Sequence, residues 1–542
     1  MLAVLAAVMV LIALLPARPR SATDPALRVS PVDWEAVRDD PRRTLVISWM
    51  GIPAYPEARA GSWIQQRLEE HFNVRLRPIF LDWNAYAQRR PLLFCAGEVP
   101  DVIWDGDPIG VRNNLRHGFI MEIPHEVILR HAPTYVRLLN RCGKEGWLYS
   151  QYRGRNYGVP TFFEGAIRPR ISCWRMDWLR RVGITRVPET LAEMHEALRR
   201  LRYDDPDGNG RQDTYGWSPN ISHWSVMFAE VFAAHDILPF DLMLRDGRVV
   251  WGGIQPEARQ ALALLRQWYA EGLLDPDFVL DSRQNSGQAK FLAGRLGYLY
   301  QVNEFDSYDL HNPASLYSRL RAFDPQAELA PAPPLRNAAG VRRGRTWGSA
   351  GHVLQFGRHL EGEPEKVVRV LSMLEAITCD ETLYLEAQWG RRGRHWEYTP
   401  ERGRYLLPPL DADKRLRAEE LLDGNIFFYP CTLDFTYLGR YQMRAAVEFR
   451  DTYRRPEWSM QNVLGKSDVV PAAERYLEDL RRWQTTFYVE VVTGRRELEE
   501  FTAFVAAWRS RGGDLLLAEA NAMYAELQAI WRRLGVTPEG AP

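Results

Sequence analysis

Between Arg43 and Trp104 the chain alternates strand, helix, strand, helix, strand, and this order constrains the fold more than any other stretch. Arg43 to Met50 (RTLVISWM) reads as a strand entered from a polar, Pro-bearing tail. Ser62 to Phe72 is amphipathic, with Ser62 as its N-cap, and predicts a helix. Asn73 to Phe80, carrying Val74, Leu76, Ile79 and Phe80, predicts a second strand. A helix over Trp83 to Ala96 and a strand over Val99 to Trp104 follow. Strands joined in this way lie parallel with right-handed crossovers, so the expected class is α/β.

At 542 residues the chain exceeds one ordinary domain and suits two large lobes. Asn156-Tyr157-Gly158-Val159-Pro160 is a Gly/Pro break and the first candidate crossover between them. Beyond it, helices are expected from Cys173 to Val182, from Pro188-Glu189-Thr190 onward, and from Gln255 to Glu271. Gly294 to Tyr300 reads as a turn and strand, Ala330 to Pro334 as a Pro-rich linker, and Gly344 to His352 as a second crossover. Glu363 to Thr378 and Ala412 to Leu422 look helical, and Ala472 to Leu534 mostly so. The expected organisation is an N-lobe from 43–160 and 347–425, a C-lobe from 161–346, and a helical part, 426–542, packing on the C-lobe. A chain that crosses more than once between lobes suggests a hinge, with the ligand held between them.

Composition removes some functions. Lys and Arg total 69, equal to Asp and Glu, so no basic excess argues for nucleic acid. The apolar run Leu2 to Leu15 is short for a membrane span and has the length of a signal-peptide core. Residues 1–22 are therefore expected to be a signal peptide or N-terminal anchor, and the protein extracytoplasmic. The five cysteines are widely spaced, with no CxxC pair and no zinc spacing. No P-loop, no HExxH and no GxSxG occurs, and no two of the many carboxylates stand out as a glycosidase pair.

Asp205-Pro206-Asp207-Gly208-Asn209-Gly210-Arg211-Gln212-Asp213 places oxygen side chains at alternate positions 205, 207 and 209, then a Gly, then Asp213. That is the opening of a calcium loop, with the Arg211 carbonyl as a further ligand. The twelfth position, a bidentate Glu in a full loop, is Gly216. Two readings stand: a structural calcium site on Asp205, Asp207, Asn209, Arg211 and Asp213, or a polar Asx-rich turn without metal.

Further segments carry a resemblance. Met176-Asp177-Trp178-Leu179-Arg180-Arg181-Val182-Gly183-Ile184 with Pro188-Glu189-Thr190 resembles the "RxDWLxxLGxxxPxT" segment of the family 1 extracellular solute-binding proteins of ABC importers. The 205–216 loop stands where these proteins carry "DPDGNGxxDTYG". Ala96 to Val102, Tyr157 to Pro160 and Tyr269 to Pro276 resemble "SGxxPDL", "YGVP" and "YxEGLIDP". Trp389 to Trp396 resembles "YGxEGxHY", with Arg392 in place of the usual Glu. The matches run in order from about residue 45 to 530. The resemblance implies a two-lobed, periplasmic-binding-protein-like fold with a helical C-terminal extension. It implies a monomer that clamps an oligosaccharide, serves a membrane ABC permease, catalyses nothing, and carries its calcium loop away from the ligand. A secreted carbohydrate-active enzyme is the competing class, and a sensor that hands its ligand to a membrane receptor is a third.

A sugar site needs aromatic platforms and planar hydrogen-bonding groups at strand ends and crossovers. Candidates are Trp49, Trp104, Asp105, Glu164, Asn303, Glu304, Trp347, Trp389 and Trp396. Arg391, Arg392 and Arg394 would favour an acidic sugar through bidentate contacts. For each aromatic the alternative is core packing, and for the arginines a solvated basic loop.

Overall fold

The computed structural model describes residues 30–53, 58–280, 286–422 and 431–536. The apolar run expected to direct export lies outside them.

The N-terminal alternation forms as expected: β1 (Leu45–Gly51), α1 (Trp63–Phe72), β2 (Val74–Phe80), α2 (Trp83–Cys95) and β3 (Val102–Asp105). The Ser62 hydroxyl caps α1 by accepting from Gln65 N at 3.2 Å. β1 lies parallel to both β2 and β3. Among the described residues this sheet has six strands. The others are β4 (Val159–Phe163), β8 (Ala350–Phe356) and β9 (Cys431–Thr432), in the order β9-β4-β8-β3-β1-β2. β8 is antiparallel to β3 and β4 because the chain re-enters it from the second lobe and not over a covering helix.

The second lobe is built on a three-stranded antiparallel sheet, with β5 (Ser172–Arg175) between β6 (Tyr298–Tyr300) and β7 (Leu329–Ala332). Around it lie α3 (Leu191–Tyr203) and α4 (Pro256–Ala270). α5 (Pro364–Cys379) belongs to the first lobe, and α6 (Ala473–Val492) and α7 (Asp514–Arg533) form the C-terminal part.

Four expectations change. Tyr157 to Pro160 is no crossover: it leads into β4, and Gly158 is needed there because a Cβ would lie 2.5 Å from the Leu354 carbonyl oxygen. Residues 172–175 form the central strand, with all four side chains buried and both edges sheathed, and the helix expected from Cys173 starts only at Met176, running to Arg181. Residues 330–332 lie on an edge strand and not in a linker; Pro331 lacks only a donor, which an edge does not need. The first lobe extends beyond 425, because Cys431–Thr432 completes its sheet beside β4.

The C-terminal part packs on both lobes. Gln484 of α6 accepts from Trp251 Nε1 at 2.8 Å and donates to the Pro239 carbonyl at 2.7 Å. Asn521 of α7 pairs with the Val249 backbone, both contacts 2.9 Å. At the far end of the same helix Trp531 Nε1 donates to the Lys144 carbonyl of the first lobe at 3.1 Å.

The chain crosses between lobes three times, over residues 164–171, 333–349 and from 433 onward, and the crossings are bonded to one another. Gly344–Arg345 runs parallel to Ser459–Met460. Arg170 N donates to the Arg345 carbonyl at 2.9 Å, and Thr346 N to the Met460 carbonyl at 2.9 Å.

Candidate functional site at the junction of the crossings

Trp347 lies on the second crossing, one residue past the Arg345–Thr346 pairings, and the flanking Gly348 takes a positive φ of 79°. Trp347 is 54% exposed. Arg170 stands 4.4 Å and Arg345 4.7 Å from its ring centroid. The His223 ring is 6.3 Å away and lies tilted against Trp224 at 5.0 Å. Arg345 and Arg481 approach the Trp224 ring at 5.5 and 3.9 Å. Residues from β4–β5, β7–β8, the 218–228 loop and α6 thus converge at one place. An exposed indole beside planar guanidinium donors can hold a sugar ring by its apolar face and its oxygens by their lone pairs.

The electrostatics follow from burial. Arg345 is held by Asp241, with Nε and a terminal nitrogen each 3.1 Å from Oδ2. Arg481 faces Asp468 at 3.3 and 3.4 Å. Burial, then the neighbouring Arg345 charge, lowers the Arg170 guanidinium to about 10, against the pull of a hydrogen bond with Tyr300. Burial, then the charges of Arg345, Arg481 and Arg170, lowers the His223 pKa. Glu230 sits behind Tyr300, bonded to Ser172, and burial pushes its carboxyl up to about 8.

Of the residues expected from sequence, Trp347 alone stands in this cluster. Trp49 and Trp104 are 1% exposed and belong to the core. Asp105 is buried in an ion pair with Arg90 and accepts from Asn114 at 3.2 Å and Gln355 at 2.9 Å. Glu164 is buried and ties the first crossing to the third. It pairs with Arg141 and accepts from Phe435 N at 2.9 Å, Thr436 N at 3.0 Å and the Thr436 hydroxyl at 2.7 Å. Asn303 Oδ1 accepts from Ile171 N at 2.9 Å, and Glu304 pairs with Arg454 at 2.6 Å. Trp389 and Trp396 pack on each other, 5.5 Å apart, and on Tyr441.

The three arginines of that turn already have partners. Arg391 pairs with Glu386 at 2.9 Å and Arg392 with Glu397 at 3.0 Å, while Arg394 lies over Trp63 at 5.5 Å. Arg170, Arg345, Arg481, His223, Trp224 and Tyr300 were missed because no motif marks them. They come from five separate stretches and meet only in the folded chain.

The 205–213 loop folds as a tight turn closed by its own side chains. Asp205, Gly208 and Gly210 take positive φ of 48°, 73° and 74°. Asp205 accepts from Asn209 N at 3.0 Å and Gly210 N at 2.9 Å, and Asn209 Nδ2 donates to Asp207 at 2.8 Å and Asp213 at 3.1 Å. Burial, and then contact with Asp205 and the charge of Asp213, raises the Asp207 pKa. Among the described residues no three His, Cys, Asp or Glu side chains already converge at metal-binding geometry. The donor set is nonetheless hard oxygen throughout, and its carboxylates repel for want of positive charge between them, which fits calcium.

Residues 55–316 match the model for bacterial extracellular solute-binding proteins. That match spans just under half of the chain, and over that span the chain is similar to the family. Among curated relatives, this chain is 23% identical over 364 residues to the polygalacturonan/rhamnogalacturonan-binding protein YtcQ of Bacillus subtilis, spanning 66% of this chain and 68% of that one. It is 26% identical over 252 residues to the fructooligosaccharide ABC transporter substrate-binding protein FusA of Streptococcus pneumoniae, spanning 44% of this chain and 46% of FusA. In structure it is similar to FusA in complex with kestose, with a TM-score of 0.61 at 17% identity, covering 90% of this chain and 100% of FusA. A FusA "EF-hand mutant" with fructo-nystose gives the same score at 18% identity and the same coverage. An HMO-binding, ABC-transporter-associated solute-binding protein from Bifidobacterium longum infantis gives 0.64 at 14% identity, covering 89% and 99%. These likenesses show a two-lobed solute-binding fold.

Proposed function

We propose that the protein is the extracytoplasmic receptor of an ABC importer, holding an oligosaccharide between its lobes and delivering it to a membrane permease without chemical change. The observation that carries this reading is the half-exposed Trp347 with its arginines, set where three crossings meet. A ligand there touches both lobes at once, so its contacts stabilise the closed arrangement over the open one, and closure is the signal a permease can read. The names of YtcQ and FusA, both carbohydrate binders, support the ligand class. Thermal-shift screening over neutral and acidic oligosaccharides, with chromatography of the products, tests the reading. Saturable stabilisation with intact sugar is expected, and turnover would place the protein among enzymes instead.

Asp205, Asp207, Asn209, Asp213 and the Arg211 carbonyl would hold calcium as a fixed staple at the C-terminal end of α3. There the ion would supply the positive charge that lets Asp205 and Asp207 lie together ionised. Arg202 of α3 also binds the loop, donating to the Thr214 carbonyl at 3.1 Å. Export through the N-terminal apolar run belongs to the same reading.

A further inference from the structure

The arginines of the junction are not equivalent. Arg345 and Arg481 each have an aspartate, Asp241 and Asp468. Arg170 is only 6% exposed, and among the described residues it forms no ion pair with any carboxylate. Its polar partner there is the Tyr300 hydroxyl, a neutral group, and one of its terminal nitrogens is buried without a hydrogen-bond partner. One terminal nitrogen of Arg345 is likewise buried and unpartnered. The carboxyl nearest behind Tyr300 is Glu230, which burial keeps protonated near neutral pH. Glu478, on the exposed face of α6, faces His223 and not Arg170.

The Asp241 carboxylate acts on Arg170 only through space, because its bonds go to Arg345. A buried guanidinium without a bonded counter-charge is unfavourable, and cation–π attraction to the Trp347 ring offsets only part of that. Such a group is retained where an anion arrives to pair with it. We propose that the ligand is an anionic oligosaccharide, and that the carboxylate of one uronic acid residue is taken by Arg170, with Arg345 as second donor, beside Trp347. This rests on the receptor reading above. The planar fork of Arg170 matches a carboxylate, and two guanidinium groups flanking one indole place charge next to the apolar surface a pyranose ring needs. Trp347 covers Arg170, and opening of the lobes at these three crossings is the motion that admits the ligand. The arginine-rich turn at 391–394 does not qualify, because Arg391 and Arg392 are neutralised by Glu386 and Glu397.

Calorimetric titration of the full chain decides the point, using trigalacturonate, the same trisaccharide with its carboxyl groups reduced, and a neutral fructo-oligosaccharide. Trigalacturonate is expected to bind at least roughly tenfold more tightly than its reduced form, with affinity falling as salt rises. Arg170→Gln should abolish that preference, and Arg170→Lys, which keeps the charge and loses the fork, should retain part of it. Arg391→Gln should leave it intact. Should Arg170→Gln fail to fold, the lysine variant and the reduced trisaccharide still decide. Equal binding of the acidic and reduced sugars, or binding of the neutral sugar alone, overturns the anionic assignment and leaves the receptor reading standing. Binding of no carbohydrate overturns both.

Discussion

Single side chains here differ chiefly in whether burial has been compensated. Asp101 is buried, yet hydrogen bonds from His359 and from the backbone and hydroxyl of Ser48, with the Lys366 charge, outweigh desolvation and hold its pKa at about 2. A lowered carboxyl contributes stability above its unfolded value, and that stability is lost as pH falls through the folded one. Asp101→Asn should therefore destabilise at neutral pH, by about 1–3 kcal/mol in denaturant titration, and the deficit should shrink between pH 4 and 2. Glu230 is the opposite case: its pKa is raised to about 8, so its contribution is complete below the unfolded value near 4.5 and fades as pH climbs to 8. Glu230→Gln should flatten the melting temperature across that interval, and an unchanged slope would sink the assignment. Trp347, exposed and outside both cores, should tolerate Ala within about 0.5 kcal/mol of stability while ligand affinity falls.

At the scale of elements, the helices were the legible part. α1 and α3 begin where Ser62 and Thr190 cap them; the Thr190 hydroxyl accepts from Glu193 N at 3.2 Å. The strands that failed were those whose neighbours are remote in sequence. Residues 172–175 have a helix-compatible pattern, and only pairing with 298–300 and 329–332 makes them extended. The 205–213 loop is local in origin and was read from spacing alone. Calcium should raise the melting temperature and a chelator reverse it, with Asp205→Ala, which removes a proposed ligand, eliminating the difference. An identical melting curve with and without chelator would remove the metal.

Across the whole molecule, the two-lobe plan follows from the crossings, and the C-terminal helices do more than extend one lobe. α7 is bonded to the second lobe by Asn521 and to the first by Trp531, over which Lys144 also lies at 4.6 Å. Trp531→Ala should cost about 3–5 kcal/mol and broaden the unfolding transition, because it removes a buried indole that joins the lobes. Solution scattering should show the radius of gyration contract when a bound oligosaccharide draws the lobes together.

The sequence by itself determined the α/β class, most of the helix starts, the tight turn at 205–213 and the likeness to solute-binding proteins, because these are written in local periodicity, capping and motif spacing. It also supplied Trp347, as an aromatic next to a Gly-rich crossing. Which charges are spoken for was settled only by the tertiary structure. Arg391 and Arg392 look like ligand arginines in a motif, yet each meets a glutamate in the fold. Arg170, in the unremarkable run Arg168-Pro169-Arg170, is buried among an exposed indole, a tyrosine and a second arginine, and the one aspartate that acts on it is bonded to that second arginine. Pairing is a property of distance in space, and five stretches up to 311 residues apart, Arg170 to Arg481, had to be folded together before it existed.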